Sequence, residues 1–235
     1  LVHREASTHS LLNHSNILPF LGIYHEEVDS PPVTILPLIE RGSLQQMLAG
    51  PLVSPKTLQQ IVRFAPSYYL ISLSSTENWF YQLVGVASGV VYLHSLRLPI
   101  VHGDVHPGNV LIGPAFQLYV CDFGASRIRH DGTRTLSIIR ELGKCRFMAP
   151  ELFMESPFRT TPESDIFALA MLFLNTWSGQ APFHEASDKQ AESHIIEGHR
   201  PNLPSLRVTL GPRPEAHMWQ LLDQMWAQDR SCRPS

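Results

Sequence analysis

Two short runs carry the side chains best suited to chemistry: His102-Gly103-Asp104-Val105-His106-Pro107-Gly108-Asn109, and Asp122-Phe123-Gly124. Each follows a stretch that reads as a strand, so each is expected on a loop. Two carboxylates and one amide on neighbouring loops are what a magnesium-dependent phosphoryl transfer needs. One carboxylate faces the attacking hydroxyl; the other, with the amide, holds the metal that neutralises the phosphates. The H-x-D-x-x-x-x-N spacing is a moderately specific signal and Asp-Phe-Gly alone is a weak one. In this order, with the aspartates 18 positions apart (104 to 122), they make a strong pair.

The elements that must position these groups can be read from pattern. Residues 1–12 suit a helix, which His14-Ser15-Asn16 breaks; Ile17 to Tyr24 reads as a short strand. After a turn at Asp29-Ser30-Pro31-Pro32, Val33 to Leu38 reads as a strand buried on both faces. Ser43 is a candidate N-cap for a short helix. A longer helix is expected over 77–95, and short strands around 110–112 and 118–121 bracket a Gly113-Pro114 turn. Beyond Glu151 the chain reads as helical. The helix starting at Ser164-Asp165 is apolar nearly all round and should be the buried centre of its lobe, with amphipathic helices near 188–197 and 215–227 completing it. Arg63 to Ser75 (RFAPSYYLISLSS) matches neither flanking helix. It reads as an insertion or a translated intron; the intron is favoured because the run has no amphipathic period and its flanks would join well without it.

Composition excludes several classes. With 235 residues, 43% of them apolar, the chain can bury a sizeable core, and a net charge of −3 gives no drive toward nucleic acid or an acidic membrane surface. Cys121, Cys145 and Cys232 are too few and too scattered for a disulfide framework or a zinc site, which fits a reducing cytoplasmic or nuclear setting. The opening LVHREASTHS has no apolar run of the secretory kind, and the longest apolar stretch, Ile166 to Trp177, is too short to span a bilayer. The chain starts with Leu and stops at Ser235 in mid-motif, so it reads as a fragment at both ends.

Three further motifs extend the first two: Met148-Ala149-Pro150-Glu151, Ser164-Asp165, and Arg230-Ser231-Cys232-Arg233-Pro234-Ser235. In this order and with these gaps the five resemble the eukaryotic protein kinase superfamily, and the chain is similar to its tyrosine-kinase-like branch often met in fungi. The resemblance implies an α+β fold of two lobes, with an incomplete small lobe (1–40: antiparallel strands plus one helix), a mainly helical large lobe (41–235), and Mg-ATP bound between them. By the same resemblance Asp104 is the catalytic base, while Asn109 and Asp122 bind magnesium. Glu151 and Arg233 form a buried ion pair, and Asp165 braces the catalytic loop. Arg4-Glu5-Ala6, followed by His14 and Asn16, resembles the family's regulatory helix and the loop after it, making Glu5 the candidate partner of the nucleotide-binding lysine. That lysine and the glycine-rich loop are expected upstream. Leu36 guards the back pocket, Pro37 offers a carbonyl to adenine, Ile39 offers a backbone donor, and Leu111 lies under the ring.

Several positions depart from the family pattern. Gly103 replaces the arginine that receives an activation-loop phosphate, which puts in doubt any regulatory use of Ser126, Thr133, Thr135 or Ser137. His106 stands where serine/threonine kinases carry a phosphate-steadying lysine, and Lys144 stands where they carry a threonine. A compensating swap between these two positions is one reading; a tolerated polar residue and a surface lysine is the other.

The resemblance implies phosphoryl transfer from ATP to protein hydroxyls, serine or threonine rather than tyrosine, with a protein substrate and no nucleic-acid or membrane partner. The oligomeric state stays open. Weak or absent catalysis is expected of the 235 residues by themselves. One alternative is a catalytically silent kinase fold acting as a binding module. The other, a small-molecule phosphotransferase, shares the HGDVHPGN loop but lacks both the segment from Asp122 to Glu151 and the closing arginine motif.

Overall fold

The computed structural model describes residues 2–25, 33–49, 75–128, 144–155, 157, 159–201 and 216–235. All of the run 63–75 except Ser75 lies outside them, as do Thr133, Thr135 and Ser137. The chain divides into two compact units, one of Leu1–His102 and Pro107–Ile128, the other of Gly103–His106 and Arg129–Ser235.

In the first unit, helix α1 (Val2–His9) turns Ala6 and His9 inward at 1% exposure each, a spacing of three that places them on one face. The strand expected over 17–24 is split. Val120 N–H donates to the Asn16 carbonyl and Leu18 N–H donates to the Val120 carbonyl, while the Leu18 carbonyl accepts from the His9 ring. Pairing resumes only at β1 (Gly22–Tyr24), antiparallel to β2 (Val33–Ile35). The expectation of a doubly buried strand over 33–38 is corrected here: Val33 is 55% and Ile35 40% exposed. Valine and isoleucine fit any pleated surface, and among the described residues β2 pairs with β1 alone.

Helix α2 (Leu44–Ala49) begins with a reciprocal cap, Gln46 N–H donating to Ser43 Oγ while Ser43 N–H donates to Gln46 Oε1. Helix α3 (Ser75–Ser95) buries Leu83, Val86, Val90 and Leu93, spaced three and four apart. Its Gly85 and Gly89 face Asn16: a Cβ at Gly85 would lie 2.4 Å from the Asn16 amide nitrogen. These two glycines therefore let the 14–18 segment approach the helix backbone. The unit also holds β3 (Ile100–Val101) paired with β6 (Arg127–Ile128), and β4 (Val110–Ile112) paired with β5 (Leu118–Val120), all antiparallel.

The second unit is helical: α4 (Glu151–Met154), α5 (Pro162–Ser178), α6 (Asp188–Ile196) and α7 (Ala216–Met225). Helix α5 starts at Pro162, two residues before the expected Ser164. Thr161 caps it, Ser164 returns the bond, and proline suits the first helical turn. Every residue from Ser164 to Ser178 is buried, so α5 is the unit's axis. Among the described residues no helix is long and apolar enough to cross a membrane.

Arg233 and Glu151 form a two-pronged ion pair of 2.7 and 2.9 Å, with 0% and 8% of their side chains exposed. Arg233 also donates to the carbonyls of Ala227 and Glu163, tying α4, the start of α5 and the chain end together. Arg233→Ala is expected to cost about 3–5 kcal/mol by stranding a buried carboxylate. Arg230→Ala, which breaks an exposed 3.0 Å pair with Glu155, should cost about 0–1 kcal/mol. Urea denaturation of both variants checks the contrast.

Burial lowers the pKa of His9 below its ordinary 6.5, and the bond to the Leu18 carbonyl opposes this only in part. The unfolded chain then binds more protons than the folded one as pH falls, so His9 contributes stability above about pH 6.5 that is lost below it. Denaturation midpoints should fall less steeply below that pH in His9→Gln than in the wild type.

Candidate active site

In the helical unit, Asp104 sits on a loop fixed by the backbone of the residue before it. Gly103 adopts a left-handed conformation (φ +75°), and its N–H donates to Asp165 Oδ1 at 2.8 Å. Asp165 is 1% exposed and lies in the first turn of α5, where the helix dipole favours a negative charge. A buried helix thus holds the loop through one charge-assisted bond. Lys144 Nζ lies 3.3 Å from Asp104 Oδ2, and His106 Nε2 lies 3.6 Å from the same oxygen. Beneath them a cavity of only about 20 Å³ remains, room for a single water; the floor of the loop is packed.

Lys144 opens a 3₁₀ turn, Lys144–Phe147, that is anchored by its neighbour Arg146. Arg146 Nε donates to Asp188 Oδ1 at 2.9 Å, and its terminal nitrogens donate to the carbonyls of Pro182, Phe183 and Ala186. This clamp was not foreseen from sequence; an arginine two residues beyond Lys144 carries no pattern by itself.

In the other unit, Asn109 and Asp122 lie at the ends of paired strands. Cys121 N–H donates to the Asn109 carbonyl at 3.0 Å, which brings the two residues' backbones side by side. Asn109 is buried and Asp122 exposed. Asp122 is itself left-handed (φ 62°, ψ 78°), a conformation aspartate tolerates better than most residues, and its Oδ1 accepts the Gly124 N–H. Phe123 is 1% exposed, its ring 4.6 Å from that of His9 and 5.3 Å from that of His102. His102 Nε2 donates to the Cys121 carbonyl at 3.1 Å. His9, four residues after Glu5 on the same helix, is the neighbour sequence reasoning missed; the helical spacing alone could have marked it. Ser126 is buried, its hydroxyl donating to the His102 carbonyl.

The segment expected to meet adenine is in the same unit as Leu111. Leu36, Pro37 and Ile39 are half-buried and Leu38 is 86% exposed. The Ile39 carbonyl accepts the Gly42 N–H, the Gly42 carbonyl accepts the Ile112 N–H, and Ser43 bridges Leu111. The turn after the hinge is therefore pinned to β4, beside half-buried Leu111. Glu5 lies on α1, and its side chain is outside the described residues. The thiol of Cys121, next to Asp122, is pushed up to about 12 by burial and then by the Asp122 charge, so it is an inert packing group.

A family model described as protein kinase domain matches residues 1–235. The chain belongs to the protein kinase family. The kinase is similar to serine/threonine-protein kinase 12 of Arabidopsis thaliana, with 28% identity over 99% of this chain and 45% of that protein. It is 31% identical to serine/threonine-protein kinase VIK of the same plant, over 95% of this chain and 45% of that protein. It is 27% identical to receptor-interacting serine/threonine-protein kinase 2 of Bos taurus, over 100% of this chain and 41% of that protein. The chain spans less than half the length of these curated relatives. The kinase fold is the α+β arrangement described above, with short antiparallel strand pairs in one unit and helices dominating the other.

The Gly103 geometry yields a direct test. A Cβ there would meet the Thr160 side chain at 3.2 Å in a left-handed backbone. Gly103→Ala is expected to lose about 1–2 kcal/mol, and hydrogen exchange should rise first at residues 103–106.

Proposed function

We propose that this kinase domain transfers the γ-phosphoryl group of ATP, with magnesium, to serine or threonine hydroxyls of protein substrates. The observation carrying the proposal is the Asp104 carboxylate, set on a loop braced by Asp165 and flanked by the Lys144 ammonium at 3.3 Å. Serine/threonine specificity draws support from the names of the similar relatives. Asn109, Asp122, Asp104 and the adenine-side residues Pro37, Ile39 and Leu111 are proposed in the roles the family pattern gives them, with Glu5 as the lysine partner. Residues 1–40 are proposed as small-lobe sequence and 41–235 as large-lobe sequence.

The donors fit magnesium. It takes hard oxygen ligands and is held by one or two carboxylates together with substrate phosphates. Asn109 and Asp122 supply an amide oxygen and a carboxylate on adjoining backbone, and Asp122 is open to solvent. When bound, the metal neutralises phosphate charge. Asp104 accepts a hydrogen bond from the acceptor hydroxyl and takes its proton as the oxygen bonds to phosphorus. Asp165 keeps the Asp104 loop in place through Gly103, and Arg146 keeps Lys144 in place through the Pro182–Ala186 carbonyls.

Thermal melts with and without Mg-ATP test the reading. An upward shift is expected, since a ligand bound only by the folded state adds stability. Asp122→Asn should lose that shift. Asp104→Asn should keep it while abolishing transfer to a protein acceptor. A cooperative melt that no nucleotide moves would favour the silent binding module instead.

A further inference from the structure

Two side chains, an ammonium and an imidazole, converge on one oxygen of Asp104. Lys144 Nζ is 3.3 Å and His106 Nε2 3.6 Å from Oδ2. A histidine is cationic only when protonated, whereas a lysine ammonium is a compact charge with three donors on a flexible stem. Lys144 is 22% and Asp104 18% exposed at the side chain, open enough to meet a substrate and shielded enough for charge to act strongly. The backbone beneath Lys144 does not drift: Arg146 anchors the turn to Asp188 and to three carbonyls, and Phe147 is buried.

An acceptor hydroxyl bonded to Asp104 places its oxygen about 2.6–3.2 Å from the carboxylate. The phosphoryl group arriving on that oxygen is then one bond further out, within reach of an ammonium that already touches the same carboxylate. Catalysis of this reaction is mostly electrostatic, because charge spreads over the three equatorial phosphoryl oxygens. Resting on the function proposed above, we propose that Lys144 is a catalytic residue that binds the phosphoryl group in flight. Its ammonium pairs with Asp104 before reaction and turns to the phosphoryl oxygens during it. The hydroxyl proton passes to Asp104, the new O–P bond forms, the P–O bond to ADP breaks with its electron pair leaving on ADP, and Lys144 keeps its protons throughout.

The test compares binding of Mg-ADP alone with binding of Mg-ADP plus aluminium fluoride and a generic protein acceptor, a mimic of the group in transfer. It uses calorimetry on the wild type, Lys144→Gln, Lys144→Arg and the double variant Lys144→Gln/His106→Lys. The wild type should bind the mimic more tightly than Mg-ADP. Lys144→Gln should lose about 10²-fold of that gain with Mg-ADP affinity unchanged, Lys144→Arg should keep part of it, and the double variant should regain it from the neighbouring position. The inference is overturned if Lys144→Gln keeps the full gain, if it weakens Mg-ADP equally, or if His106→Lys restores nothing. It is also overturned if fluoride adds nothing to the wild type that binds Mg-ADP. No binding of Mg-ADP by the wild type would instead remove the functional reading on which it stands. Should Lys144→Gln fail to fold, Lys144→Arg decides: binding of the mimic no tighter than that of Mg-ADP, or a gain as large as the wild type's, overturns the inference, and an intermediate gain supports it.

Discussion

A carboxylate with almost no access to water, Asp165, sits in the first turn of a helix buried on all sides and holds the N–H of Gly103. Such a group needs strong partners, because an unpaired buried charge is costly. The helix start supplies one source of compensation and the loop amide another. The loop bearing Asp104 is thereby tied to the buried axis of its unit. Asp104 sits on irregular backbone, yet the position of its loop is set by a bond to a buried helix.

A second buried charge cluster lies farther along the same helix. Arg233 and Arg200 each stand 5.2 Å from the ring of Phe167, a residue of α5 that is wholly buried. Burial, with Arg233 next in weight, lowers Arg200 to about 10, while Glu151 pulls the other way. Both guanidinium groups are spread over backbone carbonyls: Arg200 takes that of Trp226, and Arg233 those of Ala227 and Glu163. These bonds stitch the end of the chain to the helices that precede it. The arginines are therefore organisers of irregular segments, a use for which a planar fork of five donors is better shaped than an ammonium.

The parts of this architecture legible in the sequence are those set by local rules. Helices declared themselves through apolar spacing and caps, as at Ser43 and along Leu83, Val86, Val90 and Leu93. The paired strands around Gly113 were marked by their turn. Motif order was sufficient to name the family, and it is what proposes Asp104, Asn109 and Asp122 for the site. What stayed hidden depends on partners distant in sequence. The apolar letters of Val33 and Ile35 do not reveal whether anything covers them. The strand that composition alone would extend over 17–24 is broken after Leu18, whose carbonyl bonds the distant His9 ring. The convergence of Lys144 and His106 on a single Asp104 oxygen needs coordinates, as does the packing of His9 against Phe123.

Gly103 also limits which side chains its position can take. Its φ of +75° and the closeness of the Thr160 side chain mean that the present loop shape suits a residue without a Cβ. An arginine placed here would not find the backbone ready for it; the left-handed turn and Thr160 would have to yield first. A larger side chain at position 103 would therefore be resisted both by the backbone and by its neighbour.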